Sequence, residues 1–321
     1  MRAAAPPAAG VRLPWEELPA AVRRAVEELL GAKVEAAATQ SGGFSPGLAA
    51  RLLLADGRRA FVKAVSAGAN ARSPHFHRAE ARNAAALPDG VPAPRLLGAY
   101  DDGDWVVLAF EDIDGHQPQI PWQREQLARV LDAVGDLSDR LTPSPVEVPY
   151  AADVLSGDFS GWRKLAEAGD PGERDALDPW AGRHLDTLAH LADGWADAAR
   201  GETLAHGDLR ADNILLTPER VVFVDWPHAC RAVPWFDLLV MLPCVAAQGG
   251  PDPQELFLRH PLGRDADPDA VTAVLAALTG YFVRGSLQPP PPGLPTLRAF
   301  QGAQGAAALG WLRKRLAPAL P

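Results

Sequence analysis

The stretch LAHGDLRADNILL, Leu204 to Leu216, sets His206, Asp208, Arg210, Asp212 and Asn213 between two hydrophobic runs, and a second run, VVFV, delivers Asp225 twelve residues beyond Asn213. Polar side chains packed this densely make either a solvated turn or a working site. Carboxylate and amide oxygens are hard donors of the kind Mg²⁺ takes, and a carboxylate held on a loop can accept or orient the proton of an attacking hydroxyl. Phosphoryl transfer from a nucleotide to an alcohol needs both groups at once. Asp208 is the candidate for the hydroxyl proton, and Asn213 and Asp225 are the candidates for the metal. The five-residue step from Asp208 to Asn213, followed by a second strand-like run ending at Asp225, argues against a merely polar turn.

The pattern His-x-Asp-x-x-x-x-Asn resembles the catalytic loop of the kinase superfamily, and Asp225 stands where that superfamily has its Asp-Phe-Gly aspartate. With His206-Gly207-Asp208 in place of His-Arg-Asp, and VDWPHA after the second strand, the chain resembles the aminoglycoside phosphotransferase and choline kinase-like family over nearly its whole length. The resemblance implies an α+β, bilobal protein kinase-like fold with a small β-rich N-lobe and a larger helical C-lobe. It implies ATP and Mg²⁺ as cofactors, with GTP also open because hinge contacts are mostly backbone. It gives His206 a supporting role in the loop and Asp237 the role of the buried aspartate that ties the loop down. Arg210 touches phosphate or pairs with an acidic neighbour, the second being the default. Only twelve residues separate Asp225 from Asp237, too few for a protein kinase activation segment, so the expected acceptor is a hydroxylated small molecule and not a protein.

A lysine for the phosphates is expected from the N-terminal half. The chain has four, Lys33, Lys63, Lys164 and Lys314, and Lys63 lies in the apolar strand-like run FVKAV. Glu80, seventeen residues on and mid-helix, is the expected partner of its ammonium, with Arg78 and Arg82 as rival partners. Ser41, Gly42 and Gly43 open a glycine-rich turn whose backbone can approach phosphate. Phe110, Glu111 and Ile113 end the last strand at the hinge, where adenine is expected to bind.

Those residues need elements to carry them. Residues 16–30 have helical apolar spacing ending at Gly31. Strand patterns follow at 34–40, 48–54, 59–65, 95–100 and 105–110, with a hairpin signal at Asp56-Gly57 and a helix over 75–87. Residues 1–112 are thus expected to form a nucleotide-binding lobe, a five-stranded antiparallel sheet plus one helix. Residues 113–321 are expected to form a helical lobe with the catalytic loop and the acceptor site, its long helices at 123–141, 180–200, 269–283 and 297–316. The opening MRAAAPPAAG lacks the apolar core of a signal peptide and is expected to be a flexible tail. The proline run before Gly293 is expected to be a spacer.

Of 321 residues, 47% are hydrophobic and 22% charged, and the net charge is −9. Nucleic acid is therefore not an expected partner. The most apolar stretch, 233–247, is short and interrupted by Asp237 and Pro243, so no membrane partner is expected. Cys230 and Cys244 are too few for a disulfide framework, which suggests buried thiols in the cytoplasm. The histidines lack zinc-site spacing. Asp153, Asp158, Glu167, Asp170, Asp186, Asp193 and Asp197 would suit a cationic acceptor but equally a solvated helix face. Trp162, Trp195, Trp226, Trp235 and Trp311 fit the core better than an aromatic wall. The acceptor stays open between an aminoglycoside or other antibiotic and a metabolite such as choline, homoserine or a sugar. A nucleotide-binding pseudoenzyme without turnover is the rival from another class.

Overall fold

The computed structural model describes residues 5–167 and 171–317. Asp170 and the first four residues of the expected tail lie outside them. Helix α1 (Ala20–Leu30) buries Val22, Val26 and Leu30 at four-residue spacing, and Gly31, at φ 71°, closes it. Strands β1 (Val34–Thr39), β2 (Leu48–Leu54) and β3 (Arg59–Ser66) follow, then α2 (Ser73–Ala86), β4 (Leu96–Asp101) and β5 (Trp105–Glu111). The five strands form one antiparallel sheet in the order β1-β2-β3-β5-β4.

Alternation along β5 explains how this sheet is filled. Val107 and Ala109 pack with α1, Leu52 and Val62, while Val106, Leu108 and Phe110 pack with Val65 on the face covered by α2. A strand covered on both faces needs apolar residues at every position, which is why Val106–Phe110 reads as an unbroken run. In register, Lys63 lies opposite Leu108, so the central strand pair carries the lysine.

The helical part begins with α3 (Arg124–Arg140). Six short helices follow: α4 (Ala151–Leu155), α5 (Gly161–Glu167), α6 (Pro171–Asp175), α7 (Pro179–Arg183), α8 (Leu185–Asp193) and α9 (Trp195–Ala198). The single helix expected over 180–200 is therefore three. Asp178 caps α7 by accepting from the N–H groups of Trp180 and Ala181, and breaks at His184 and Gly194 separate the pieces. The breaks let Trp180, Leu188 and Trp195 all reach one core. Two short antiparallel pairs, β6 (Thr203–Ala205) with β9 (Cys230–Ala232) and β7 (Ile214–Leu216) with β8 (Val221–Phe223), frame the polar loop. Helices α10 (Phe236–Ala247), α11 (Pro253–Arg259), α12 (Pro261–Arg264), α13 (Pro268–Leu287) and α14 (Leu297–Leu316) complete the chain.

Helix α13 is long and apolar enough to cross a bilayer, yet it packs against α5, α8 and α14. The five tryptophans are buried in the helical core with Leu188, Leu239 and Leu275. Both cysteines are free and buried.

The N-terminal stretch departs from the flexible tail expected of it. Ala9 and Arg12 bridge Gly42 and Gly47. Leu13 N–H donates to the Gly47 carbonyl at 3.0 Å, and Gly47 N–H donates back to Val11 at 3.0 Å. Val11 N–H reaches the Gly293 carbonyl at 2.9 Å, so the proline run also packs on this strap. The backbone partner is Gly47, at φ 98°, where a Cβ would sit 2.4 Å from the Ala64 carbonyl oxygen, so glycine is required at this turn into β2.

Candidate active site

The residues expected to form the catalytic loop hang from β6 and β7. After Ala205 the backbone turns through Gly207 at φ 80°, where a Cβ would meet the His228 carbonyl oxygen at 2.5 Å. Asp237, at the start of α10, fixes this turn from below. Its carboxylate accepts from the N–H of His206 at 2.7 Å and of Gly207 at 2.9 Å. Burial pushes its pKa up to about 6, against the pull of those two N–H groups. The His206 ring rests on Trp226, 4.6 Å between centroids. Its Nε2 donates to the Val224 carbonyl at 2.9 Å and its Nδ1 accepts from the Asp208 N–H at 3.3 Å. Burial lowers its pKa to about 4. His206 is thus a neutral spacer between the two polar loops.

Asp208 and Asn213 meet across the loop. Asn213 Nδ2 donates to the Asp208 carbonyl at 2.8 Å and lies 3.4 Å from its carboxylate. Arg210 Nη1 holds both Asp208 carboxylate oxygens at 2.7 Å, while its Nε and Nη2 reach Asp212 at 3.1 Å. Arg210 therefore pairs with acidic neighbours on both sides. Burial raises the Asp208 pKa even against Arg210.

Asp225 enters from β8 at φ 70°, the one non-glycine positive φ among the described residues. Val224 N–H donates to the Asn213 carbonyl at 2.9 Å, which ties the second polar loop to the first. Strained backbone of this kind costs on the order of 1–3 kcal/mol and persists where surrounding structure holds it. Lys63 Nζ lies 2.6 Å from Asp225 and 2.7 and 3.0 Å from the two Glu80 oxygens. Burial works against the ammonium, but Asp225 and Glu80 outweigh it and raise the Lys63 pKa to about 12. Glu80 is pushed up to about 7 by burial, with Lys63 opposing, whereas Lys63 holds Asp225 below the usual carboxylate range despite burial. Arg78, a rival for Glu80, is taken by Asp101. Asn83 of α2 donates to the Trp226 carbonyl at 2.8 Å, locking the helix that carries Glu80 to the loop that carries Asp225.

These groups open on a cavity of about 430 Å³ between the sheet and the helical part, walled by Ser41, Gly42, Gly43, Phe110, Glu111, Ile113, Lys63, Glu80, Asn213 and Asp225. Asp208 lies beyond its wall, behind Asn213. Asn213 and Asp225, the latter also paired with Lys63, both stand on the wall as oxygen donors, and among the described residues no cluster of three His, Cys, Asp or Glu could hold a metal. Two hard donors fit an ion such as Mg²⁺, which keeps waters and takes phosphate oxygens as its remaining ligands.

A model of the phosphotransferase enzyme family matches residues 42–278. This chain belongs to that family. It is 32% identical over 140 residues to the aminoglycoside 3'-phosphotransferase of Streptomyces ribosidificus, a match covering 40% of this chain and 49% of that one. The chain thus spans about half the length of that curated relative. A choline/ethanolamine kinase family protein from Mesorhizobium loti superposes with a TM-score of 0.56 at 16% identity, over 88% of this chain and 91% of that one. An amicoumacin kinase solved with AMP-PNP, Ca²⁺ and Ami superposes with a TM-score of 0.53 at 11% identity, over 88% and 89%. At those identities the likeness is one of fold, a β-sheet N-terminal part and a helical C-terminal part.

For this phosphotransferase family member, Arg12 and Gln117 at the cavity were not anticipated, and Asp112 was expected only as the end of the hinge stretch. Arg12 reaches in from the N-terminal strap. Asp112 holds Arg51 and Arg59 at 3.2 and 2.7 Å, just past the end of β5. Gln117 donates to the Asp212 carbonyl at 3.1 Å beneath the glycine-rich turn. None carries a local signal. Arg12 sits in an alanine- and proline-rich stretch, and Asp112 and Gln117 lie in loop sequence.

Proposed function

We propose that this chain is an ATP-dependent O-phosphotransferase acting on a hydroxyl of a small molecule. The single observation behind the reading is that Asn213 touches Asp208 on one side and lines, with Lys63, Glu80 and Asp225, one cavity on the other. A base and a triphosphate site so joined are what transfer to an alcohol requires. The reading puts the adenine against Phe110, Glu111 and Ile113 and the phosphates under Ser41, Gly42 and Gly43. It gives residues 1–112 the nucleotide and 113–321 the catalytic loop and acceptor, in the cytoplasm. GTP would use the same hinge backbone.

Asp208 takes the proton as the acceptor oxygen bonds to the terminal phosphorus. The bond from that phosphorus to the bridging oxygen breaks and the nucleoside diphosphate leaves. Lys63, held by Glu80, orients the phosphates, and Arg210 keeps the Asp208 carboxylate in one orientation. Mg²⁺, when bound by Asn213 and Asp225, would neutralise charge on the phosphate oxygens.

The charge around Asp208 favours one class of acceptor. Asp153, Asp158, Glu167, Asp186, Asp193 and Asp197 are exposed, with Asp153 capping α4 and Asp193 paired to Arg163. Tyr281 lies near Asp208, its pKa pushed up to about 12 by burial and by Asp158 and Asp208. Its hydroxyl accepts from Gln301 at 3.2 Å, and Gln301 accepts from Arg298 at 2.8 Å. Burial lowers the Arg298 pKa, and Arg284 and Arg72 push the same way. Arg298, with Arg284 and Arg72 near enough to lower its pKa, outnumbers with them Asp158 and Asp208 on this side, which favours a neutral or anionic acceptor over a polyamine antibiotic. The test is ADP release, measured by a coupled assay, across aminoglycosides, amino alcohols, macrolides, sugars and hydroxy acids with ATP or GTP and Mg²⁺. Turnover with a neutral or anionic alcohol is expected. Turnover confined to aminoglycosides would overturn the charge argument, and nucleotide binding without turnover on any acceptor would favour a pseudoenzyme.

A further inference from the structure

Arg12, Arg51 and Lys63 line the cavity, and two of these cations are already matched. Lys63 pairs with Glu80 and Asp225, and Arg51 with Asp112. Arg12 pairs with no carboxylate among the described residues. Its Nη1 donates to the Ser45 carbonyl, and its Nη2 donates to Gly42 and, at 3.4 Å, to Gly43. Its Nε is buried without a partner. Its side chain lines the same cavity as Lys63, Asn213 and Asp225, and Asp225 raises its pKa against the lowering by burial.

A buried charge needs compensation, and neutral carbonyls supply only part of it. The rest of the cleft cannot supply it either, because Asp225 is claimed by Lys63 and Asp208 and Asp212 by Arg210. Lys63 and Arg210 alone stand against four carboxylates, Glu80, Asp208, Asp212 and Asp225, an excess of two negative charges that Arg12 reduces to one. A polyphosphate entering there meets less repulsion with Arg12 present.

We propose that Arg12 is a phosphate-binding residue, carried by the N-terminal strap under the glycine-rich turn, whose charge is completed by the polyphosphate of the bound nucleotide. The assignment rests on the phosphotransfer reading above. It makes the strap part of the site. The turn's carbonyls, which would repel phosphate, are gathered onto a guanidinium, so the underside of the turn becomes attractive to anions.

Isothermal titration of the full chain with ATP, ADP, AMP and adenosine, in Mg²⁺, tests this with Arg12→Gln and Arg12→Lys. Gln keeps a donor for the carbonyls and loses the charge, whereas Lys keeps the charge. The expected result is a tenfold or greater loss of ATP and ADP affinity in Arg12→Gln, with adenosine within twofold of wild type and most of the loss restored in Arg12→Lys. Equal affinities for Gln and Lys would make Arg12 a latch for the turn only and overturn the assignment. So would unchanged ATP affinity in both variants, or an adenosine loss matching that of ATP. A wild-type chain that binds none of the four would instead sink the phosphotransfer reading, and this assignment with it.

Discussion

Asp208→Asn separates the chemistry from the binding. Asp208 receives two hydrogen bonds from Arg210 Nη1 at 2.7 Å, and burial raises its pKa. The fold therefore disfavours the carboxylate at this position, and a neutral side chain of the same shape costs little. Asn keeps an acceptor for Arg210, which retains Asp212 as its second partner. The stability change should stay within about 1 kcal/mol. Activity should not survive so well. A positioned general base contributes roughly 10²–10⁴ in rate, so the barrier should rise by about 3–5 kcal/mol. Asp208 stands behind Asn213 and off the cavity wall, so ADP affinity should change by about twofold or less, a few tenths of a kcal/mol. ADP release, equilibrium titration of ADP and urea denaturation read the three quantities on one preparation. Because the Asp208 pKa is raised, wild-type kcat should fall as pH drops, starting above the range of a free aspartate. An Asp208→Asn enzyme with more than a tenth of wild-type kcat would remove Asp208 as the base, and a parallel collapse of ADP affinity would make the residue structural.

Lys63→Met should abolish turnover and destabilise the chain, since removing one partner of a buried pair costs about 3–5 kcal/mol. The loss should be smaller at pH 5 than at pH 8, because burial and Asp225 already push the Glu80 pKa to about 7 and the freed carboxylate takes up a proton; thermal melts at the two pH values show it. Asp237→Ala strands the N–H groups of His206 and Gly207, at about 1–3 kcal/mol each, and should lower kcat more than nucleotide affinity; urea denaturation and initial rates read both. His77→Gln should tilt the pH dependence of stability. Burial holds His77 and His206 at about 4 and lifts Asp237 to about 6 and Glu80 to about 7. Near pH 5 each histidine is protonated in the unfolded chain but not in the folded one, which tilts stability upward with pH, whereas the raised carboxylates, Asp208 among them, tilt it downward. With one histidine gone the slope of stability against pH should drop by about 1.4 kcal/mol per unit relative to wild type; denaturation between pH 4.5 and 6 checks the change.

What could be read directly from the chain was local in sequence. Strands β2, β3 and β5 are marked by runs bounded by Gly47, Asp56-Gly57 and Gly103, and the loop from His206 to Asn213 is one continuous motif whose two ends are pinned by β6 and β7. Lys63 and Glu80 lie on consecutive elements, β3 and α2, so their pairing needs only that the helix fold back on the sheet. The segment 180–200 shows the limit. Its apolar spacing suits one helix, but Asp178, His184 and Gly194 set turns that the periodicity does not weigh, and burial of Trp180 and Trp195 in the same core decides the break. The N-terminal strap shows the limit more sharply. Its pairing with Gly47 uses backbone edges, which side-chain pattern does not report.

Charge counting is where the strap could have been found. The motif residues alone bring Lys63 and Arg210 against Glu80, Asp208, Asp212 and Asp225. For a site meant to hold a polyphosphate that sum has the wrong sign, and one divalent ion does not reverse it against four phosphate charges. A further cation from outside the motifs narrows the imbalance, and because glycine-rich turns offer no side chain of their own, the place for it is whatever packs beneath the turn. In this chain that is the edge made by residues 9–13, with Arg12 as its one cation. Sites assembled this way have their recognisable half in the loops that perform the chemistry and their other half in segments that only the fold brings near.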